Sequence, residues 1–217
     1  MNISKKIKLL FLDPVNFFKL IQNEKKYFPI LIFSVLGFLI LDVIDIALKL
    51  TKVNYGAIGL KAYFVILIYI FGLIFSILIS FIIPFITAGI SHLGVMLLKG
   101  SKGFLETFKA VTFGTIVFIP YWMASLIVLS FAPLTKSLYF NYLMLLNPYA
   151  LFGITSFIIG LIHSTYVEVI GISQYHKISK LKALVAILVI PIIIILILVT
   201  IGILFLFFYK KKLVTTF

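Results

Sequence analysis

The sequence contains no cysteine, which excludes disulfides, thiolate nucleophiles and sulfur-ligated metals from its chemistry. Arginine is missing as well: all 19 basic residues are lysine. Lysine is a compact point charge, so bidentate capture of phosphate or carboxylate by guanidinium forks is not available. Acidic residues number only six, leaving few candidates for paired carboxylates. No hydrophilic stretch is long enough to form a soluble domain beside the apolar runs.

What is present is apolar. Hydrophobic residues make up 63% of the 217-residue chain and the mean hydropathy is +1.27, against about half apolar in soluble proteins. Apolar runs of twenty residues or more make the bilayer the solvent, and the length allows one domain. The net charge of +13 raises nucleic acid as a partner. The lysines, however, sit in small groups at the ends of apolar runs, where topology charges and headgroup contacts belong, so no nucleic-acid binding is expected. The N-terminal apolar run, Leu9–Leu12, is too short for a signal peptide and meets Asp13-Pro14 without a small-residue cleavage site; it is read as retained.

Asp13-Pro14 is a helix start, since Asp can cap and Pro fits the first helical position. Val15, Phe18 and Ile21 then recur at helical spacing, predicting an amphipathic helix on the membrane surface that closes on Lys25-Lys26. Span one is expected at about 27–48, and a polar connection follows at 49–61. An apolar run from 62 to 98 is too long for one crossing and too short for two. Pro84 and Gly89 offer a break, placing the crossing at about 62–86. Residues 88–98 either extend the span or turn along the surface. Lys99–Gly103 is a turn, and 104–113 is again amphipathic, leading into span three at about 112–131 with Pro120 inside it. Span four is expected at 149–172 and span five at 184–209, before a basic tail at 210–217. The fold class is therefore all-α, a polytopic membrane bundle of about five transmembrane helices with interfacial amphipathic helices. Residues 1–26 form an N-terminal cytoplasmic or interfacial segment, and 27–209 the five-span membrane domain. With the N-terminus inside, inner segments carry twelve lysines and outer ones seven, which orients the N-terminus to the cytoplasm and the C-terminus to the far side of the cell membrane.

Asp42 and Asp45 lie three apart on one helical face. An intramembrane carboxylate is costly and often functional. The alternatives are a structural pair with Lys49 holding Asp45, an ion or proton path, or a metal such as Mg²⁺. Glu168 continues the four-residue stripe Ser156, Gly160, Ser164, and is read either as a buried pair with Lys109, Lys177 or His92, or as a protonatable site facing a cavity. Gly72, Ser76 and Ser80 form a second small-residue stripe. Both stripes are expected to be helix-packing faces. The candidate polar site is thus Asp42, Asp45, Glu168 and His92. His92, His163 and His176 have no metal spacing, and His163 is expected to bond a neighbouring helix. Ser91-His92 is not a dyad, because adjacent helical residues diverge and no G-x-S-x-G surrounds them. No catalytic residue, cofactor or metal is expected.

Three segments carry a family resemblance. L-D-P-x-x-F-F-x-x-I-x-x-E at 12–24, H-L-G-V-M-L-L-K-G-S-K-G-F-L-E-T-F-K-A-V-T-F-G at 92–114, and G-L-I-H-S-T-Y-V-E-V-I-G-I-S-Q-Y-H-K-I-S-K-L-K-A-L-V-A at 160–186 resemble the YIP membrane domain, named for Ypt/Rab-interacting proteins. The likeness spans roughly 12–208. It implies five spans and a cytoplasmic N-terminus. Eukaryotic members act in membrane traffic with small GTPases. This chain lacks D-L-Y-G-P before span one and their long N-terminal region, so it is similar to the short prokaryotic members, and the GTPase partnership is not carried over. The resulting expectation is a non-enzymatic protein that organises membrane or partner proteins. Its partners would be anionic lipid headgroups at the inner leaflet, copies of itself or other membrane proteins. A small transporter or lipid scramblase using the carboxylates is the alternative.

Overall fold

The structure is a computed structural model and describes residues 3–22, 28–51, 61–131, 147–193, 196, 197 and 199–202. Among these residues all regular structure is helical. The chain opens with α1, Ile3–Leu12, and α2, Pro14–Ile21. α3 runs Phe28–Thr51, α4 Lys61–Leu97, α5 Phe104–Ser130 and α6 Pro148–His176. α7, Lys180–Leu184, passes into a π turn over Val185–Val189. Among the described residues three helices are long and apolar enough to cross a membrane: Leu67–Leu97, Phe104–Ser130 and Pro148–His176. α3 occupies the place expected for span one. The expected Lys25-Lys26 closure, most of the connection at 49–61, the outer connection at 132–146, the last turns of span five and the tail at 210–217 lie outside the described residues.

Asp13 caps α2 as its spacing requires, accepting from the backbone N–H of Asn16 at 3.2 Å, with Pro14 in the first turn. Helix α1 was not foreseen, because its one conspicuous apolar run is only four residues long. The apolar face of α2 does not lie on lipid. Phe17, Phe18 and Ile21 are buried against the bundle, where the Phe17 and Phe113 rings meet edge-on at 4.8 Å and Phe18 and Tyr175 at 5.5 Å. A surface helix and a docked helix share one amphipathic pattern, and only the docking partner tells them apart.

Two further expectations are corrected. Pro84 does not end its helix: α4 is continuous over 37 residues, about 55 Å at 1.5 Å per residue, so 88–98 extends the span. Membrane helices tolerate an interior proline because neighbours re-satisfy the freed carbonyl. Nor is 104–113 a separate surface helix. It is the first part of α5, and every residue from Thr107 to Gly114 is buried, including Lys109 at 7% exposure. The pattern read as a polar face points into protein.

The turns after α4 and α6 use the same device. Lys99 and Lys177 adopt left-handed φ values of 62° and 54°, a place usually given to glycine. The Gly100 N–H bonds the Val95 carbonyl at 2.9 Å and the Lys99 N–H that of Met96 at 3.0 Å, the paired bonds of a Schellman stop. Gly100 is needed for space, because a Cβ there would meet the Val95 side chain and the Cβ of His176 at 3.3 Å. The two turns touch: the Ser101 N–H donates to the His176 carbonyl at 3.3 Å. This places both left-handed lysines at one end of the molecule.

Candidate functional site

The residues singled out from sequence do not assemble into one path. Asp42 of α3 accepts a hydrogen bond from the Ser76 hydroxyl of α4. Asp45 is half-buried one turn along the same helix. Glu168 of α6 accepts from Ser164, one turn back, at 3.3 Å, and its side chain fills the space where Gly114 of α5 lacks a Cβ. His92 of α4 faces neither carboxylate's partner. It belongs to a different cluster.

That cluster is a directed chain of hydrogen bonds across three helices. The Lys102 backbone N–H, which can only donate, reaches His176 Nδ1 at 3.3 Å. Nδ1 is therefore the lone-pair nitrogen, and Nε2 carries the proton of the neutral ring. Nε2–H donates to Thr107 Oγ1 at 2.8 Å, and the Thr107 hydroxyl donates on to His92 Nδ1 at 2.9 Å. Thr107 is 0% exposed and His176 1%, so these bonds form away from competing water. The Ser101 hydroxyl adds a bond to the His176 carbonyl at 3.1 Å. Thr107 and Ser101 were not picked out from sequence, and His176 was weighed there only as a metal ligand. The available signal was that His92 and His176 flank the two lysine-bearing turns.

His163 behaves as expected of a lone histidine in an apolar span. Its Nε2–H donates to the Phe11 carbonyl of α1 at 3.1 Å and its Nδ1 accepts from the Tyr121 hydroxyl of α5 at 3.0 Å. Together with Gln174, which donates to the Val15 carbonyl at 3.0 Å, it fastens α1 and α2 to α6. The Phe11 carbonyl is among the last four of α1, which the helix itself leaves open.

The two packing stripes fare differently. Ser156, Gly160 and Ser164 do lie in the α5–α6 interface. Ser156 donates to the Tyr121 carbonyl at 3.3 Å, and a Cβ at Gly160 would stand 3.0 Å from the Tyr121 ring. Gly153 and Gly171 extend that face against Leu129 and against Phe18 with Ala110. On α4, Ser80 is buried and Ser76 reaches Asp42, but nothing lies within 4 Å of a Cβ placed at Gly72. Gly72 is therefore not a packing position among the described residues. The Ser76–Asp42 bond sets the approach of α3 one turn further along.

A Yip1 domain matches residues 8–203, nearly the whole chain. The chain belongs to the Yip1-domain family. No curated protein and no solved structure matches it. Membership in the Yip1 family and the three long apolar helices identify an integral membrane protein. The Yip1 match begins inside α1 and runs through α2, the two helices fastened by His163 and Gln174. Chemically, the polar groups of this Yip1 domain cross-link helices. Among the described residues no group of three or more His, Asp or Glu is placed to hold a metal.

Proposed function

We propose that this Yip1-domain protein is a non-enzymatic, five-span membrane protein that organises the bilayer or partner membrane proteins, with its N-terminus in the cytoplasm and its C-terminus across the cell membrane. The five spans fall within 27–209, flanked by an interfacial segment at 1–26 and a basic tail at 210–217. One observation carries the reading. Two of the intramembrane polar groups hold helices together, Asp42 with Ser76 across α3 and α4 and His163 with Tyr121 and Phe11 across α6, α5 and α1, while Glu168, bonded within α6 to Ser164, fills the space beside Gly114 of α5. The grooves lie on the outside and are lined mostly by apolar side chains.

The way such a protein would bend a membrane differs from the sequence expectation. Two free surface helices do not supply the wedge. Instead α2 packs on α5 and α6 near the two-turn end, where the Phe18 ring meets Tyr175, adding a helix of cross-section there and presenting Lys19, while α1 is tied to α6 further along, at His163. That end displaces headgroups on one side of the bilayer and attracts anionic lipid, each lysine near the surface adding about 1 kcal/mol. Copies of the same chain, or other membrane proteins, would then gather on the curved patch.

The test is reconstitution into vesicles containing anionic lipid, with labelled lipid and proton flux read beside vesicle shape. The expected result is narrowed or tubulated vesicles and flux no greater than in empty ones. Flux that disappears in folded Asp42→Asn/Asp45→Asn/Glu168→Gln would replace this reading with a carboxylate-dependent transporter or scramblase.

A further inference from the structure

The start of span five stands off the bundle on one side. Ala183 and Ala186 are fully buried, and a Cβ at Gly94 of α4 would come within 2.8 Å of the Ala186 backbone, so the span is pinned to α4 at that point. The π turn follows, its Ile190 N–H returning to the Val185 carbonyl. It ends two residues before Pro191, which has no N–H to continue the α ladder. On the opposite side, Leu181, Leu184 and Leu188 recur on one helical face and look across at Leu161, Thr165 and Val169 of α6. Between the two walls is an open groove of about 640 Å³ with Lys180 on its lining.

We propose that this groove seats an acyl chain of an anionic phospholipid whose phosphate is held by Lys180. The volume lies within the range of about 300–1,000 Å³ seen for small-molecule sites. From Leu161 to Ile170 the α6 wall rises about 14 Å, half of a 30 Å hydrocarbon core and so the depth of one leaflet. The charge stands at the turn end of the groove, where a headgroup would be, and the walls below it are apolar except for Thr165 and Tyr166. A bilayer supplies such a ligand in excess, and a fixed positive charge selects the anionic species. The proposal rests on the reading of this chain as a lipid-organising protein and names the lipid site that such a protein would use.

The chain has a single tryptophan, which makes a fluorescence test direct. Trp122→Phe combined with Leu188→Trp places a reporter in the groove; Trp122→Phe with Ile86→Trp places one on the exposed face of α4 as a bulk-lipid control. Each variant is placed in phosphatidylcholine nanodiscs doped with brominated phosphatidylglycerol or brominated phosphatidylcholine. The discs have a fixed size, so the readout does not depend on membrane bending. The groove reporter should be quenched at about fivefold lower mole fraction of the anionic lipid than of the zwitterionic one, the effect of one lysine near a phosphate. The control reporter should show no preference. Lys180→Gln should abolish the difference and Lys182→Gln should leave it. Equal quenching by both lipids in the groove, or a preference that survives Lys180→Gln, overturns the site. A preference of the same size at both reporters also overturns the site while leaving the lipid-organising reading intact.

Discussion

The α5–α6 pair and the α3–α4 pair are both antiparallel and both apolar, yet they are joined in different ways. α5 and α6 approach along most of their length through residues without bulk: Gly153, Gly160 and Gly171 on one helix, Gly114 and Ala110 on the other. α3 and α4 meet through one conspicuous polar bond, Ser76 to Asp42, and the glycines of α4 at 72 and 89 face open space. In lipid the hydrophobic effect does not press helices together, because the alternative partner is equally apolar. Close packing needs small side chains opposite something that fills them. A small-residue stripe with nothing opposite is merely a smooth surface.

Three substitutions would break or sharpen this contrast. Gly114→Leu has the largest expected effect, a loss of about 3 kcal/mol of stability, because the new side chain must displace Glu168 from its seat. Thermal unfolding in micelles reads it, and an unchanged midpoint would mean that the α5–α6 contact is not tight at this level. His176→Ala should lose about 2 kcal/mol, since it strips partners from buried Thr107 and from the Lys102 N–H. Faster hydrogen exchange confined to 98–103 would locate the damage, whereas uniform exchange would show that the chain of bonds does not hold the turn. Gly72→Ala should go the other way and gain about 0.5 kcal/mol, as an alanine does in a helix with room for it. A destabilised Gly72→Ala would place an unseen partner on that face of α4.

Much of the architecture was legible in the residues. Apolar run lengths located α3 to α6, Asp13-Pro14 marked the start of α2, and the order of three motifs pointed to the family that residues 8–203 match. Patterning failed where it could not know the partner. The amphipathic faces of α2 and of 104–113 were assigned to lipid but pack on protein, and Pro84 looked like a stop but is carried inside α4. Glu168 was placed correctly on a small-residue face, though the partner found for it is Ser164 with Gly114 making the room.

The sequence by itself determined that the protein is helical and lives in a bilayer, because hydropathy and run length act locally and need no partner. It also determined that disulfides and guanidinium chemistry play no part. Only the tertiary structure decided that His92, Thr107 and His176 share a hydrogen-bond chain, that Lys99 and Lys177 take the left-handed stops of two adjoining turns, and that Gly114 rather than Gly72 is a contact. Those outcomes depend on which residues from distant parts of the chain come to stand opposite each other, and no local pattern encodes that.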